Sequence, residues 1–245
     1  MLDLADLLHR LCSVQPDRRP GSAGNQESVD LVADLVTELG WQVETPEFPV
    51  VCWSGDAGEV TLEGNSWPVS PSPYSLGWQG CAPVHPACSE DDLAGDHVGA
   101  ILLLHGELVA APLTPKGYPF YGSDRDARII ERLEGCGAVA VLAATGRAPE
   151  LVGAVEPFPL IEDGAFQVPT GNLREADGAE LLTALGRAAP DAAVDLRMPS
   201  RRWPSTARNI VARRGRQADR VTVVAHIDAK PGTPVRSTTP RAWWS

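Results

Sequence analysis

The chain has 245 residues, 43% hydrophobic and 22% charged, with 32 Asp and Glu against 21 Lys and Arg for a formal net charge of -11. That length and composition predict one or two globular domains and exclude wholesale disorder. The acidic balance excludes a broad phosphate-backbone surface, so nucleic acid is not an expected partner.

Leu4, Leu8 and Leu11 recur at helical spacing, which predicts a short amphipathic helix over residues 4–12 with Asp3 as its cap. The acids in this N-terminal stretch stand where a signal peptide carries positive charge. No apolar run in the chain approaches the ~20 residues of a spanning helix, so no membrane contact is expected. The turn-rich Arg19-Pro-Gly-Ser-Ala-Gly-Asn25 introduces a second helix over 26–39, with Val29, Val32, Ala33, Val36 and Leu39 on one face. Arg19 and Asn25 read as turn and cap residues. Trp41-Gln-Val-Glu-Thr45 alternates as a strand does.

Residues 56–98 are short strand candidates broken by Gly, Pro and Ser. Within them, Cys81-Ala-Pro-Val-His85-Pro-Ala-Cys88 holds soft ligands, but no fourth stands nearby, and its two prolines favour a surface loop over a zinc site. The five cysteines (12, 52, 81, 88 and 136) are odd in number and form no CxxC, which predicts reduced thiols and a cytoplasmic protein. A buried strand is expected at 99–104, then a long loop over 106–123 in which Pro119, Phe120 and Tyr121 pack. A helix capped by Ser123 or Asp124 buries Ile129, Ile130 and Leu133. Another buried strand covers 138–144, and Asp177 is the expected cap of a helix carrying Leu181, Leu182 and Leu185. His85, His97 and His105 read as structural or solvent-facing.

The texture changes near residue 200. Residues 201–245 carry ten Lys and Arg against Asp219 and Asp228 alone, leaving 30 acids and 11 bases before them. Thr206–Arg213 predicts a short strand, and the β-branched run Val221-Thr-Val-Val-Ala225 predicts a strand buried on both faces. It leads into His226-Ile-Asp228. Ligands bind at the carboxyl end of strands in open α/β sheets. An imidazole there can hold a metal, with a neighbouring carboxylate fixing its tautomer. Taken alone, however, a lone His at a strand end is more often a structural residue. No GxGxxG, P-loop, HExxH or GxSxG is present.

Taken in order, Arg19–Asn25 before its helix, Leu39-Gly-Trp-Gln-Val-Glu44, Ala207-Arg-Asn-Ile-Val-Ala212 and Val223-Val-Ala-His-Ile-Asp228 resemble the di-zinc aminopeptidases related to glutamate carboxypeptidase II. Gly99-Ala-Ile-Leu-Leu-Leu-His-Gly106 and Gly135-Cys-Gly-Ala-Val-Ala-Val141 resemble strands of the protease-associated domain that many of those enzymes carry. The resemblance covers residues 1 to about 234. It implies an α/β fold: a partial zinc-exopeptidase-type catalytic domain (1–55 and 200–234) interrupted by a β-rich α+β protease-associated insert (56–199). By the same resemblance His226 is a zinc ligand and Asp228 its orienting partner, two zincs serve the complete protein, and the substrate is the N-terminus of a peptide. Two metals lower the pKa of bound water towards about 7 and stabilise the oxyanion of peptide hydrolysis.

The family's remaining ligands, a bridging Asp and a general-base Glu among them, belong after Pro234. Val235-Arg-Ser-Thr-Thr-Pro-Arg-Ala-Trp-Trp-Ser245 contains no Asp, Glu or His. One base added ahead of codon 235 makes this tail compatible with Gly-Ala-Leu-Asp-Asn-Ala-Thr-Gly-Val-Val-Val, a motif the family has there. The expectation is a truncated, frameshifted and inactive chain with an aberrant tail at 235–245 and little or no zinc. The alternative is a non-catalytic protease-associated-domain protein that binds a peptide or protein partner.

Overall fold

The computed structural model describes residues 4–14, 17–114, 116, 122–145, 166–189, 192–215 and 221–229. The chain divides into two compact units: Met1–Cys52 with Pro204–Ser245, and Trp53–Trp203.

The first unit opens with helix α1, Leu4–Ser13, followed by α2, Ala23–Glu38. The expected cap Asp3 lies outside the described residues, and Leu8 is left exposed. Helix α2 begins three residues before the sequence expectation because Ser22 caps it: the Ser22 hydroxyl accepts from Asn25 N at 3.1 Å. In return the Asn25 side-chain oxygen accepts from Gly21 N at 3.3 Å. Gly21 sits at φ +83°, and a Cβ there would stand 2.7 Å from Val50 Cγ2, so the turn requires glycine. Val29 and Leu35 are the buried residues of the α2 apolar face. Strands β1, Gln42–Glu44, and β2, Glu47–Gly55, follow.

The second unit is a closed seven-stranded barrel built from β3 (Gly58–Leu62), β4 (Asn65–Pro71), β5 (Trp78–Ala87), β6 (Ile101–Leu104), β7 (Ala140–Thr145), β8 (Thr170–Arg174) and β9 (Ala193–Met198), in the order β3-β4-β8-β7-β6-β5-β9. Pairs β5/β6, β6/β7 and β7/β8 are parallel. The remaining pairs are antiparallel. Helix α3, Asp124–Gly135, connects β6 to β7, and α4, Glu175–Leu185, connects β8 to β9. Because β6 is covered on both sides, its run Ile-Leu-Leu-Leu is wholly buried. Ile101 and Leu103 join one cluster with Val60, Leu142 and Leu196. Leu102 and Leu104 join the other, with Ile129, Ile130 and Leu133 of α3. The two faces of β7 divide in the same way, Ala140, Leu142 and Ala144 against Val141 and Ala143. Each buried Leu or Ile here contributes about 1.5–3 kcal/mol of transfer free energy.

Five local expectations need correcting. Residues 81–87 are strand rather than loop: β5 pairs with β9 through Pro83 and with β6 from Val84, so its prolines sit where the strand changes partner. Asp177 does not cap α4. It lies inside the first turn and receives a bidentate ion pair from Arg174, with Arg174 Nε to Asp177 Oδ2 at 2.6 Å. The expected loop after β6 opens with a 3-10 turn, Gly106–Val109. Pro119, Phe120 and Tyr121 lie outside the described residues. Helix α3 is capped by Ser123, whose hydroxyl accepts from Asp126 N.

The chain returns to the first unit through β10, Ser200–Arg208, which pairs with β2, and β11, Val211–Arg213, which pairs antiparallel with β1. The strand expected over 206–213 is thus two strands. The fifth correction is at 221–225. These residues form no strand, and Val221, Val223 and Val224 are 93%, 87% and 89% exposed. Three β-branched residues favour extended backbone, but among the described residues no ladder receives them.

Candidate functional site

Among the described residues, the 221–229 segment, which carries the sequence candidates, is tied to the rest of its unit by an isolated bridge between Arg18 and Ala229, where Ala229 N donates to Arg18 O at 3.3 Å. Arg18 is itself buried, with a guanidinium nitrogen donating to Leu11 O at 2.8 Å. The bridge therefore anchors the far end of the His226-Ile-Asp228 segment to a fixed point.

His226 and Asp228 are in contact, with Nδ1 to Oδ1 at 3.1 Å. Asp228 can only accept when ionised, so Nδ1 carries the proton and Nε2 is left with its lone pair available. That is the arrangement of a metal-binding imidazole with its orienting carboxylate. The imidazole is 94% exposed, and an ion pair this open contributes little on its own.

The donor set fits one position of a zinc shell and one orienting group. Zinc takes three or four protein ligands, and among the described residues no group of three His, Cys, Asp or Glu could hold a metal. The described residues do not close a zinc site. The Cys81, His85 and Cys88 cluster does not close one either. Cys81 Sγ donates to Asp195 Oδ2 at 3.5 Å, a bond to a carboxylate that pushes its thiol up, and Asp92 pushes up the Cys88 thiol in the same way. Cys12, Cys52, Cys81, Cys88 and Cys136 are all free.

Around the Arg19–Asn25 turn the charged groups serve one another. Arg19 holds Asp17 through Nε to Oδ1 at 2.9 Å and Nη2 to Oδ2 at 2.6 Å, which lowers the Asp17 carboxyl below its ordinary value. The sequence reading did not single out Arg208. It donates to Gln26 Oε1 and Asp30 Oδ1, both at 2.7 Å, and so ties β10 to the first turns of α2. A lone Arg in a short strand carries no local signal of such a role. In the barrel unit, a cavity of about 450 Å³ is lined by His105, Gly106, Ala144, Glu175 and Leu182 among others.

No family model matches the chain. A curated relative, the probable lipoprotein aminopeptidase LpqL of Mycobacterium tuberculosis, is 27% identical over 223 residues, which cover 89% of this chain and 41% of that protein. The aminopeptidase from Aneurinibacillus sp. strain AM-1 shares the fold with a TM-score of 0.61 at 16% identity, over 87% of this chain and 48% of that one. BSAP, a zinc aminopeptidase from Bacillus subtilis, gives 0.56 at 16% identity, over 88% and 47%. This chain thus spans less than half the length of each, and it shares the mixed α/β fold of the two solved aminopeptidases over the part it covers.

Proposed function

We propose that this chain belongs to the lineage of zinc-dependent aminopeptidases related to glutamate carboxypeptidase II, and that it carries only part of the machinery. The observation that carries this reading is the relative named an aminopeptidase, which aligns over 89% of the chain. The His226–Asp228 contact supports it from the side of chemistry. In this reading residues 1–55 and 200–234 are catalytic-domain segments, and 56–199 is a protease-associated insert. His226 ligates one of two zincs, Asp228 holds its ring, and the substrate is a peptide N-terminus. When bound, the zincs supply a water activated for attack on the peptide carbonyl. The contribution of Asp228 is to keep the proton on Nδ1 and the Nε2 lone pair towards the metal. The proposed setting is cytoplasmic, on the odd number of cysteines and the absence of a CxxC in the sequence.

The bridging Asp and general-base Glu have no counterpart after Asp228, where the remaining residues contain no Asp, Glu or His. The purified 245-residue chain is therefore expected to hydrolyse aminoacyl anilides no faster than buffer, with or without added zinc. Chelator-sensitive turnover would overturn that assignment of missing groups. The reading of 235–245 as out of frame is decided by resequencing the coding DNA. A Glu-Glu pair and a late His in the alternative frame support the lineage, and an intact frame with no peptidase-like continuation there sinks it.

A further inference from the structure

Residues 221–225 read Val-Thr-Val-Val-Ala and carry no charge, proline or glycine. Val221, Val223 and Val224, at 93%, 87% and 89%, are the most exposed large apolar side chains among the described residues. A β-branched, uncharged and open run of this kind is a template for pairing with another strand. The strands of its own unit are poor partners for it. β1 and β11 have three residues each, and an ion pair from Arg213 Nη1 to Glu44 Oε1 at 2.6 Å spans them. β2 and β10 carry Pro49 and Pro204, which have no N–H to give to a ladder, and Arg201, Arg202 and Arg208 add charge along β10. Short, charged and proline-bearing strands are how proteins keep sheet edges from recruiting further strands. The run at 221–225 has none of these guards.

The bridge at Ala229 fixes which edge of the run is open. N–H groups of an extended strand alternate between its two edges. Ala229 N is directed at Arg18 O. In the extended run the N–H groups of Val221, Val223 and Ala225 therefore share the Arg18 edge, and those of Thr222 and Val224 lie on the other.

We propose that Thr222 and Val224 pair with the same residues of a second copy of this chain, giving an antiparallel dimer with its twofold axis at Val223. In this register Thr222 of one copy and Val224 of the other exchange both N–H···O=C bonds. Val223 faces Val223 in the closer, non-hydrogen-bonded position. Val221, Val223 and Ala225 of both copies then lie on one face of the ribbon. Each copy offers the same patch, so the contact is isologous and closes at two. A two-stranded ribbon is only marginally stable by itself, so the chain is a monomer in dilute solution and pairs as its concentration rises. The surface rests on the exposure of the run and stands whether or not His226 ligates zinc.

Sedimentation equilibrium of the full chain, with cysteines kept reduced, tests it. A reversible monomer–dimer equilibrium is expected, and the amides of Thr222 and Val224 should slow in hydrogen exchange as the dimer fills. Val224→Pro removes one inter-strand N–H from each copy and should weaken association by about tenfold or more. Its barrel transition should be unchanged, which separates lost pairing from lost folding. Cross-linking reads the register. Under mild oxidation Val223→Cys should yield more disulfide-linked dimer than the native cysteines give, and Val221→Cys should not, because Ala225 stands opposite it. A chain that stays monomeric at every concentration, association that survives Val224→Pro, growth past two copies, or equal trapping at 221 and 223 would each overturn the proposal.

Discussion

Asp92 Oδ2 gathers three hydrogen-bond donors from Cys88 and Ser89, and the backbone N–H groups foremost among them hold its carboxyl at about 2, against an ordinary 3.8. The direction fixes a consequence for folding. Below pH 3.8 the unfolded chain takes up a proton at this carboxyl that the folded chain refuses, so its contribution is full above that pH and disappears as pH falls through about 2. Asp92→Ala is therefore expected to give a shallower loss of urea resistance between pH 4 and pH 2 than the parent. Parallel curves for the two chains would show that the clamp contributes nothing. The same residue shows what was legible at this scale. His226 and Asp228 could be singled out from sequence because the two are separated by a single residue. The contact of His97 with His85, Nδ1 to Nδ1 at 3.1 Å, could not, because a pinned loop rather than a periodicity brings the two together.

Elements whose surroundings are dictated by their own composition were legible, and those defined by a partner were not. The apolar runs of β6 and β7 announce strands covered on both faces, and both are buried as such. Strand β5 was hidden by Pro83 and Pro86, which read as loop until the change of partner from β9 to β6 accounts for them. Val221–Ala225 misleads in the other direction: its β-branched residues specify extended backbone, but burial is set by neighbours, and among the described residues none covers the segment. Gly178 makes the point testable. Within a helix, Gly→Ala ordinarily gains about 1 kcal/mol, so propensity alone predicts a more stable chain. However, a Cβ at Gly178 would stand 2.3 Å from Ala144 Cβ of β7, and overpacking of that kind costs about 1–3 kcal/mol. Gly178→Ala is expected to lower the denaturant midpoint, and adding Ala144→Gly should recover the part due to the clash. A single variant more stable than the parent would mean that α4 is not held against β7.

At the scale of the molecule, the apolar interior is unequally shared. Both buried clusters lie wholly within Trp53–Trp203, from Val60 to Met198 in one and from Ala87 to Val168 in the other. Outside that span, the buried apolar residues among those described are Val14, Val29, Leu35, Cys52 and Ala207. A domain of about 150 residues buries about 70% of the surface its unfolded chain exposes, enough to fold alone. Closure of the barrel strengthens the case, because it leaves no unpaired strand edge that another segment must cover. Residues 53–203 expressed by themselves are accordingly expected to unfold in one cooperative transition. The midpoint should lie within about 4 °C of the barrel transition in the whole chain, the shift that 1 kcal/mol produces in a domain of this size. Amides of 221–228, which have no ladder partner among the described residues, should exchange in the dilute whole chain at rates close to those of an unfolded peptide. A fragment that melts without cooperativity would show that the barrel draws its stability from residues outside 53–203, and slow exchange at Val223 and Val224 would show that their exposed run is covered in solution.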